Sequence, residues 1–371
     1  MTGRGVILHE WIERRGGAER VVDAMASAFP AADLGCTWDD DPGRYPGRVV
    51  RESFIARTPL RGRKALALPA LSAMWRAAPP VRGEYDWALV SSHLFAHHAR
   101  VLGVAPERQF TYVHTPARYL WNPELDARGD RLAVRAVAPF FRAVDRRRGR
   151  ELRRVAANSG FVRDRIRDAW GIEARVIHPP VQVDRLTSVP DWSAELDEHE
   201  LAVLEDLPRG YLLGASRFVP YKRLDVAIDA GRASDRPVVI AGSGPGETEL
   251  RALSSRSGVD VRFVIDPSDA LMAALMQRAT AFVFPPVEDF GIMPVEAMAL
   301  GTPVVANRLG GAGETVQDGV TGALVDDFSD AALARAVDRV SGLDGAACRE
   351  RAAQFRTERF QQELREWMGV S

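Results

Sequence analysis

The chain has 371 residues, 46% of them hydrophobic, and its 49 Arg plus Lys nearly balance 50 Asp plus Glu. That length exceeds one ordinary core and suits two domains of about 150 to 200 residues each. No run of about 18 uncharged apolar residues occurs and no charged leader with an apolar stretch opens the sequence, which sets aside membrane-spanning and secreted classes and gives a cytoplasmic expectation.

Along the first half, GVILH (5–9) is a short apolar run. GGAERVVDAMASAF after it places Val21, Val22, Met25 and Phe29 at helical spacing, so a strand feeds a helix through a glycine loop. WDDDP (38–42) contains Asp-x-Asp, a metal and nucleotide clamp in other settings, but it follows no suitable strand and reads as a solvated turn. YDWALVSSH (85–93), RQFTYVHTP (108–116), RRVAANS (153–159) and ARVIHPPV (174–181) each read as a buried strand ending in polar or turn residues. His93, His97 and His98 cluster without a cysteine or carboxylate at metal spacing, so no metal is expected, and His93 is the better candidate for an acceptor contact. FRAVDRRRGRELRR (141–154) is strongly basic and helical. With RTPLRGRKALALPALSAMWRAAP (57–79), which mixes arginine with Leu66, Leu68, Leu71 and Trp75, it is either a solvated face or a peripheral contact with anionic membrane. Nucleic acid is set aside because no platform of aromatics accompanies the charge. The asymmetry is marked: residues 1–180 hold 30 basic against 20 acidic side chains, the remainder 19 against 30. A basic half attracts anionic partners without naming them.

The acidic stretch 184–210 shows no strand and reads as a connector with at most one helix. Alternation then resumes with YLLGAS (211–216), PVVIAGS (237–243), VRFVI (261–265), TAFVFPP (280–286), TPVVAN (302–307) and GALVD (322–326), separated by helical segments. GSGPG (242–246) lacks the spacing of a dinucleotide fingerprint and reads as a tight strand-to-helix turn. The segment 348–369 aligns Phe355, Phe360, Leu364 and Trp367 as one terminal helix. The expected fold class is α/β, two doubly wound Rossmann-like domains facing across a cleft, with ligands at the carboxyl ends of parallel strands. Cys36 and Cys348 lie far apart in sequence, make neither a metal ligand set nor a disulfide framework, and read as buried thiols.

Two loops carry chemistry. Arg217 and Lys222 follow a strand and precede a helix, a spacing suited to a diphosphate. Lys222 is one of only two lysines, with Lys64, in a chain that otherwise uses arginine. In FPPVEDFGIMPVEAMALGTPVVA (284–306), Glu288 sits in a loop and Glu296 one turn into the following helix. Between them, Gly291 admits close backbone approach, and the amides of Ile292 and Met293 open the helix. The two glutamates can meet one elongated ligand at two places, or Glu296 can merely complement the helix dipole.

Arg217 with Lys222, the Glu288 and Glu296 pair, EDFG, EAMALGTPVVA and GGAGETVQDGVTGALV resemble the retaining glycosyltransferases of family 4, which have the GT-B fold. GGAERVV and HTPARYLW (114–121) match the amino-terminal half of that family, and the whole looks nearest to bacterial mannosyltransferases of surface-polysaccharide assembly. The resemblance implies an acceptor-binding domain over 1–182, a nucleotide-sugar domain over 183–350 and a terminal helix over 351–371 packing back on the first domain. It assigns donor diphosphate to Arg217 and Lys222, ribose to Glu296 and donor sugar to Glu288, with Phe290, Gly291, Ile292 and Met293 at the donor. Gly16 and Gly17 approach the phosphates, and His114 lines the sugar site. His93, Arg118 and Tyr119 face the acceptor. The implied donor is a nucleotide diphosphosugar, GDP-sugar favoured over UDP-sugar, with no further cofactor and no metal, and the implied acceptor is a glycan, glycolipid or small molecule. The strand 261–265 lacks the glycine usual after it, which leaves the base open. A sugar-nucleotide epimerase and a catalytically silent sugar-nucleotide binding protein are the alternatives. A nicotinamide oxidoreductase is disfavoured because no Gly-x-Gly-x-x-Gly follows the first strand.

Overall fold

The computed structural model describes residues 3–14, 16–81, 83–121 and 132–370. Its contacts divide the chain into two compact units, Met1–Pro180 with Thr357–Ser371, and Val181–Arg356.

The first unit is built on strands β1 (Gly5–His9), β2 (Asp33–Cys36), β3 (Val50–Glu52), β4 (Trp87–Ser92), β5 (Gln109–Val113), β6 (Arg154–Ala157) and β7 (Arg175–Val176). Among the described residues they form one parallel sheet in the order β3-β2-β1-β4-β5-β6-β7. β1 and β4 are buried at every position, as expected of parallel strands covered on both faces. Period-two alternation sends Val6, Leu8, Ala88 and Val90 to a core shared with the helix Lys64–Ala77, and Ile7, Leu89 and Tyr112 to the opposite one. That second core also holds Phe360, Leu364 and Met368 of the helix Thr357–Met368, which packs against the helix Gly17–Ala28. Sequence periodicity missed β2 and β3 because they are short, and β3 has only half-buried or exposed residues at the sheet edge.

The second unit repeats the plan with β8 (Leu212–Ala215), β9 (Val238–Gly242), β10 (Val261–Ile265), β11 (Ala281–Phe284), β12 (Val304–Asn307) and β13 (Gly322–Val325), parallel in the order β10-β9-β8-β11-β12-β13. In each unit the strand order reverses beside the first strand, between β1 and β4 and between β8 and β11. Loops leaving those two strands splay to opposite faces and open a crevice at their carboxyl ends.

Two expectations are corrected. The connector is not a linker with at most one helix: it holds helices Val183–Thr187 and Glu198–Glu205 and a 3-10 turn Trp192–Glu195, with Trp192 buried in the second unit's core. Its acidic residues serve in part as caps, since Asp191 and Asp197 accept from the amides of Ser193 and Glu200. Nor is the terminal segment one helix. It runs as Gly345–Ala352, a 3-10 turn Ala353–Phe355 and Thr357–Met368, broken where Arg356 turns extended and bridges to Val181. Phe355 therefore packs on Phe290 in the second unit, while Phe360 and Leu364 belong to the first. Both cysteines are buried free thiols.

Candidate active site

In the second unit the loop after β8 is anchored by buried Phe218, whose amide donates to the Ser243 carbonyl at 2.8 Å and whose carbonyl accepts from the Gly246 amide at 2.9 Å. GSGPG is thus more than a turn. A Cβ on Gly244 would lie 2.8 Å from Phe218 N and O, so the glycine lets this loop and the one after β9 touch backbone to backbone. The anchoring presents Arg217 to solvent with its guanidinium donating to the Tyr221 hydroxyl at 2.9 Å, and Lys222 ends the 3-10 turn Pro220–Lys222.

The loop after β11 brings Glu288 to Lys222, and the two form a hydrogen-bonded ion pair with side chains only 12% and 21% exposed. Gly311 supports this loop from below: its amide donates to the Glu288 carbonyl at 2.8 Å, and a Cβ there would lie 2.3 Å from Phe290 Cα. That contact gives GGAGE a physical reason. The Phe290 ring is committed to the core. Gly291, at φ 84°, caps the helix Ile292–Ala299, placing the Ile292 and Met293 amides at its start and half-buried Glu296 one turn on. Arg217, Lys222, Glu288 and Glu296 therefore stand on the two loops of this unit's switch point and the helix that follows, separated by up to 79 residues in sequence but neighbouring in the sheet order.

In the first unit, Gly16 caps the helix that Gly17 opens, and Glu19 reaches back to accept from the Glu13 amide at 3.2 Å. His114 follows β5, its amide donating to the Ser92 carbonyl at 2.8 Å. His9, His93 and His114 form a triangle with ring centroids 5.5 to 6.4 Å apart, and Trp11 stands edge-on to His93 at 4.9 Å. Buried Ser91 links two of them: its Oγ is 3.0 Å from His9 Nδ1 and 2.8 Å from His114 Nε2. Burial lowers both histidines, His9 to about 3 with help from His114, and His114 to about 4. Beside them Glu10, wholly buried and raised by that burial, accepts from the Leu94 and Ala96 amides at 2.8 and 2.7 Å and so fixes the turn after His93. Arg118 opens a short helix Arg118–Trp121; the Tyr119 side chain lies outside the described residues. His9, Glu10 and Ser91 escaped sequence reading, although each sits at the carboxyl end of β1 or β4, where the switch-point rule directs attention.

His97 and His98 do have a carboxylate partner, contrary to expectation. Asp145, 47 residues beyond His98, accepts at Oδ1 from His98 Nε2 at 3.0 Å and has His97 Nε2 within 3.1 Å of the same oxygen, while its Oδ2 accepts from the indoles of Trp121 and Trp170, each at 2.7 Å. The three ligating residues lie close enough to hold a cation, with ligand atoms within 4.8 Å, but every carboxylate lone-pair direction used is already met by an N–H donor, which makes this a structural node. The Asp-x-Asp stretch also departs from a solvated turn: Trp38 is buried and stacked on Trp11, Asp39 is buried and accepts from the Asp41 amide, and Asp40 and Asp41 pair with Arg61 and Arg44.

Residues 199–357 match the family described as glycosyl transferases group 1, and residues 15–185 the one described as glycosyltransferase family 4. The D-inositol 3-phosphate glycosyltransferase of Salinispora tropica is 30% identical over 369 residues, covering 91% of this chain and 73% of that one. The chain belongs to glycosyltransferase family 4. It is an enzyme that transfers a hexose from a nucleotide sugar to an acceptor. The GDP-mannose-dependent alpha-(1-6)-phosphatidylinositol monomannoside mannosyltransferase of Mycobacterium tuberculosis is 29% identical, covering 91% of the glycosyltransferase and 86% of that protein. In fold, it is similar to Anabaena Alr3699/HepE solved in complex with UDP, with a TM-score of 0.71 at 19% identity over 98% of this chain and 99% of that one, as expected of GT-B architecture. Among the described residues no helix is long and apolar enough to cross a membrane.

Proposed function

We propose that this glycosyltransferase moves mannose from GDP-mannose, with retention of configuration, to a hydroxyl of a glycan or glycolipid acceptor. The observation that carries the reading is the meeting of Lys222 and Glu288 at the second unit's switch point, beside the amides that open the helix Ile292–Ala299. A cation, helix-start amides and a carboxylate within one such site match a diphosphate joined to a sugar. Lys222 and Arg217 neutralise the diphosphate as negative charge grows on it, Glu296 holds the ribose hydroxyls, and Glu288 faces the hexose, where cationic character develops. The bond from C1 to the phosphate oxygen breaks, the bond from C1 to the acceptor oxygen forms on the same face, and the departing phosphate accepts the acceptor proton. By the family resemblance His114 is the hexose-facing group of the first unit, and His93 and Arg118 face the acceptor.

Guanine is favoured by Asp266, which stands just past β10 where the family has glycine. Aspartate occupies this place at φ 53°, a left-handed conformation that short polar residues tolerate, and the residue is exposed. A carboxylate there can accept from the N1–H and amino group of guanine, whereas uracil offers one N–H. Mannose is favoured by the relatives that use GDP-mannose. Peripheral contact with anionic lipid is supported by Leu66 and Phe140, 66% and 67% exposed on two helices that both pack against the turn Ala96–His98, and by the arginines around them. The test is product analysis: incubation with GDP-mannose and a phosphoinositide or oligomannoside acceptor yields an α-mannoside and GDP, and UDP-glucose gives far less product. Donor consumption without an acceptor would point to an epimerase or hydrolase.

A further inference from the structure

We propose that Ser91 is a positioning residue that fixes His114 in the tautomer carrying its proton on Nδ1, so that His114 presents an N–H donor to the hexose. The inference rests on the reading of His114 as the hexose-facing group. Ser91 lies in β4 in register with His9 of β1 on one side and Tyr112 of β5 on the other, and His114, two residues past Tyr112, falls on the same face. Tyr112 belongs to the core that takes Phe360 of the returning helix, whose ring stands 5.7 Å away, and its own ring stands edge-on to His114 at 5.3 Å.

Proton counting then decides the tautomers. His9 Nδ1 lies 3.0 Å from Ser91 Oγ and 3.3 Å from the Ser91 carbonyl oxygen. A carbonyl only accepts, and a bare nitrogen facing it would set lone pair against lone pair, so Nδ1 of His9 carries the hydrogen. With that hydrogen directed at Ser91, the one hydroxyl hydrogen of Ser91 turns the other way, to His114 Nε2 at 2.8 Å. Nε2 of His114 is therefore the acceptor, and its neutral ring carries the proton on Nδ1. Burial keeps both rings neutral near pH 7, which is the condition under which a tautomer exists to be chosen. His9 Nε2, buried and without a hydrogen-bond partner among the described residues, is the bare end of the relay.

The experiment is a long-range proton–nitrogen correlation of the imidazoles in the full chain labelled with 15N-histidine, at about pH 7 and without ligand, with the His114 signals identified by their loss in His114→Gln. The expected result is an Nδ1–H pattern for His114 in the wild type. In Ser91→Ala it becomes Nε2–H, the form favoured in free imidazole side chains, and Ser91→Thr, which keeps a hydroxyl, retains Nδ1–H. In turnover, Ser91→Ala raises KM for the sugar nucleotide about tenfold, the scale of one misdirected hydrogen bond, and leaves the dissociation constant of the bare nucleoside diphosphate unchanged. An Nε2–H pattern in the wild type overturns the proposal, even if a variant does not fold, and so does an unchanged tautomer in Ser91→Ala. A tautomer that switches while sugar-nucleotide KM stays constant upholds the relay and removes His114 from the hexose, so the two readings fail separately.

Discussion

Lys222 donates to Glu288 across the two loops of the second unit's switch point, so the residues proposed for phosphate and for sugar neutralise each other. In the proposed function a diphosphate draws the ammonium away from the carboxylate, and the freed carboxylate turns to the hexose. Lys222→Ala should weaken nucleoside diphosphate binding by about 2 to 5 kcal/mol, the cost of truncating one partner of a partly desolvated charge pair. Glu288→Gln should do the opposite to nucleotide affinity, tightening it by about fivefold because the competing carboxylate is gone. Turnover should fall about a hundredfold with the loss of a preorganised charge. Calorimetry on both variants with steady-state kinetics checks this; equal loss of nucleotide affinity in the two would reject the division of roles.

Asp266 carries the base preference in this reading. Asp266→Ala should cost GDP about 1.5 to 3 kcal/mol, the scale of hydrogen bonds to a charged group, and leave UDP affinity nearly unchanged. Competition titration of the two nucleotides measures the ratio directly. A GDP preference that survives the substitution assigns base recognition elsewhere.

The alternation of apolar runs and helical spacing showed two parallel α/β sheets, because strands buried on both faces read as uninterrupted Val, Ile, Leu and Ala. Arg217 and Glu288 were legible as candidates because each lies within four residues of a strand end, and Lys222 and Glu296 because one precedes and the other sits one turn into the helix that follows. The Asp145 node was not. It brings together His97, His98, Trp121 and Trp170 from three separate segments, and no local spacing encodes such a meeting. The same holds for Ser91, whose importance lies in cross-strand register. Arginine-rich 141–154 read as a charged surface, yet its single aspartate is the most buried charge of that stretch, and the hydrophobic pattern carries no sign of it. The terminal helix was misread because Phe355 continues the periodicity of Phe360 and Leu364 by coincidence while serving a different core.

Activity should persist in EDTA. In the proposed function the positive charge a divalent ion would bring to a diphosphate comes from Arg217, Lys222 and the helix-start amides, and the acidic residues of the Asp-x-Asp stretch are engaged with Arg44, Arg61 and the Asp41 amide. Loss of turnover in EDTA with recovery on adding magnesium or manganese would show that an ion completes the site.

Stability should fall as pH drops below about 6.5, and the cause lies in the first unit. Burial lowers His9 to about 3 and His98 and His114 to about 4, with His114 adding to the effect on His9 and His97 to that on His98. Between those values and 6.5 the unfolded chain binds protons on these three rings and the folded one does not, so the unfolding free energy rises with pH. Their neutral-state stability is thus complete above 6.5 and is lost toward pH 4, at about 1.4 kcal/mol per histidine per pH unit. Asp145 acts in a different window: burial alone would raise it, but the charge and hydrogen bonds of His97 and His98 hold it below the usual carboxylate range, so its contribution fades only under more acid conditions. Urea unfolding followed by tryptophan fluorescence reports mainly the first unit, since Trp192 alone lies in the second. From about pH 7 to pH 5 the first unit should lose on the order of 5 kcal/mol. His114→Gln should flatten that dependence by about a third, because one of the three rings no longer takes up a proton. A first unit equally stable at both pH values, with a slope that His114→Gln leaves unchanged, would mean that these rings take up protons in the folded chain as readily as in the unfolded one.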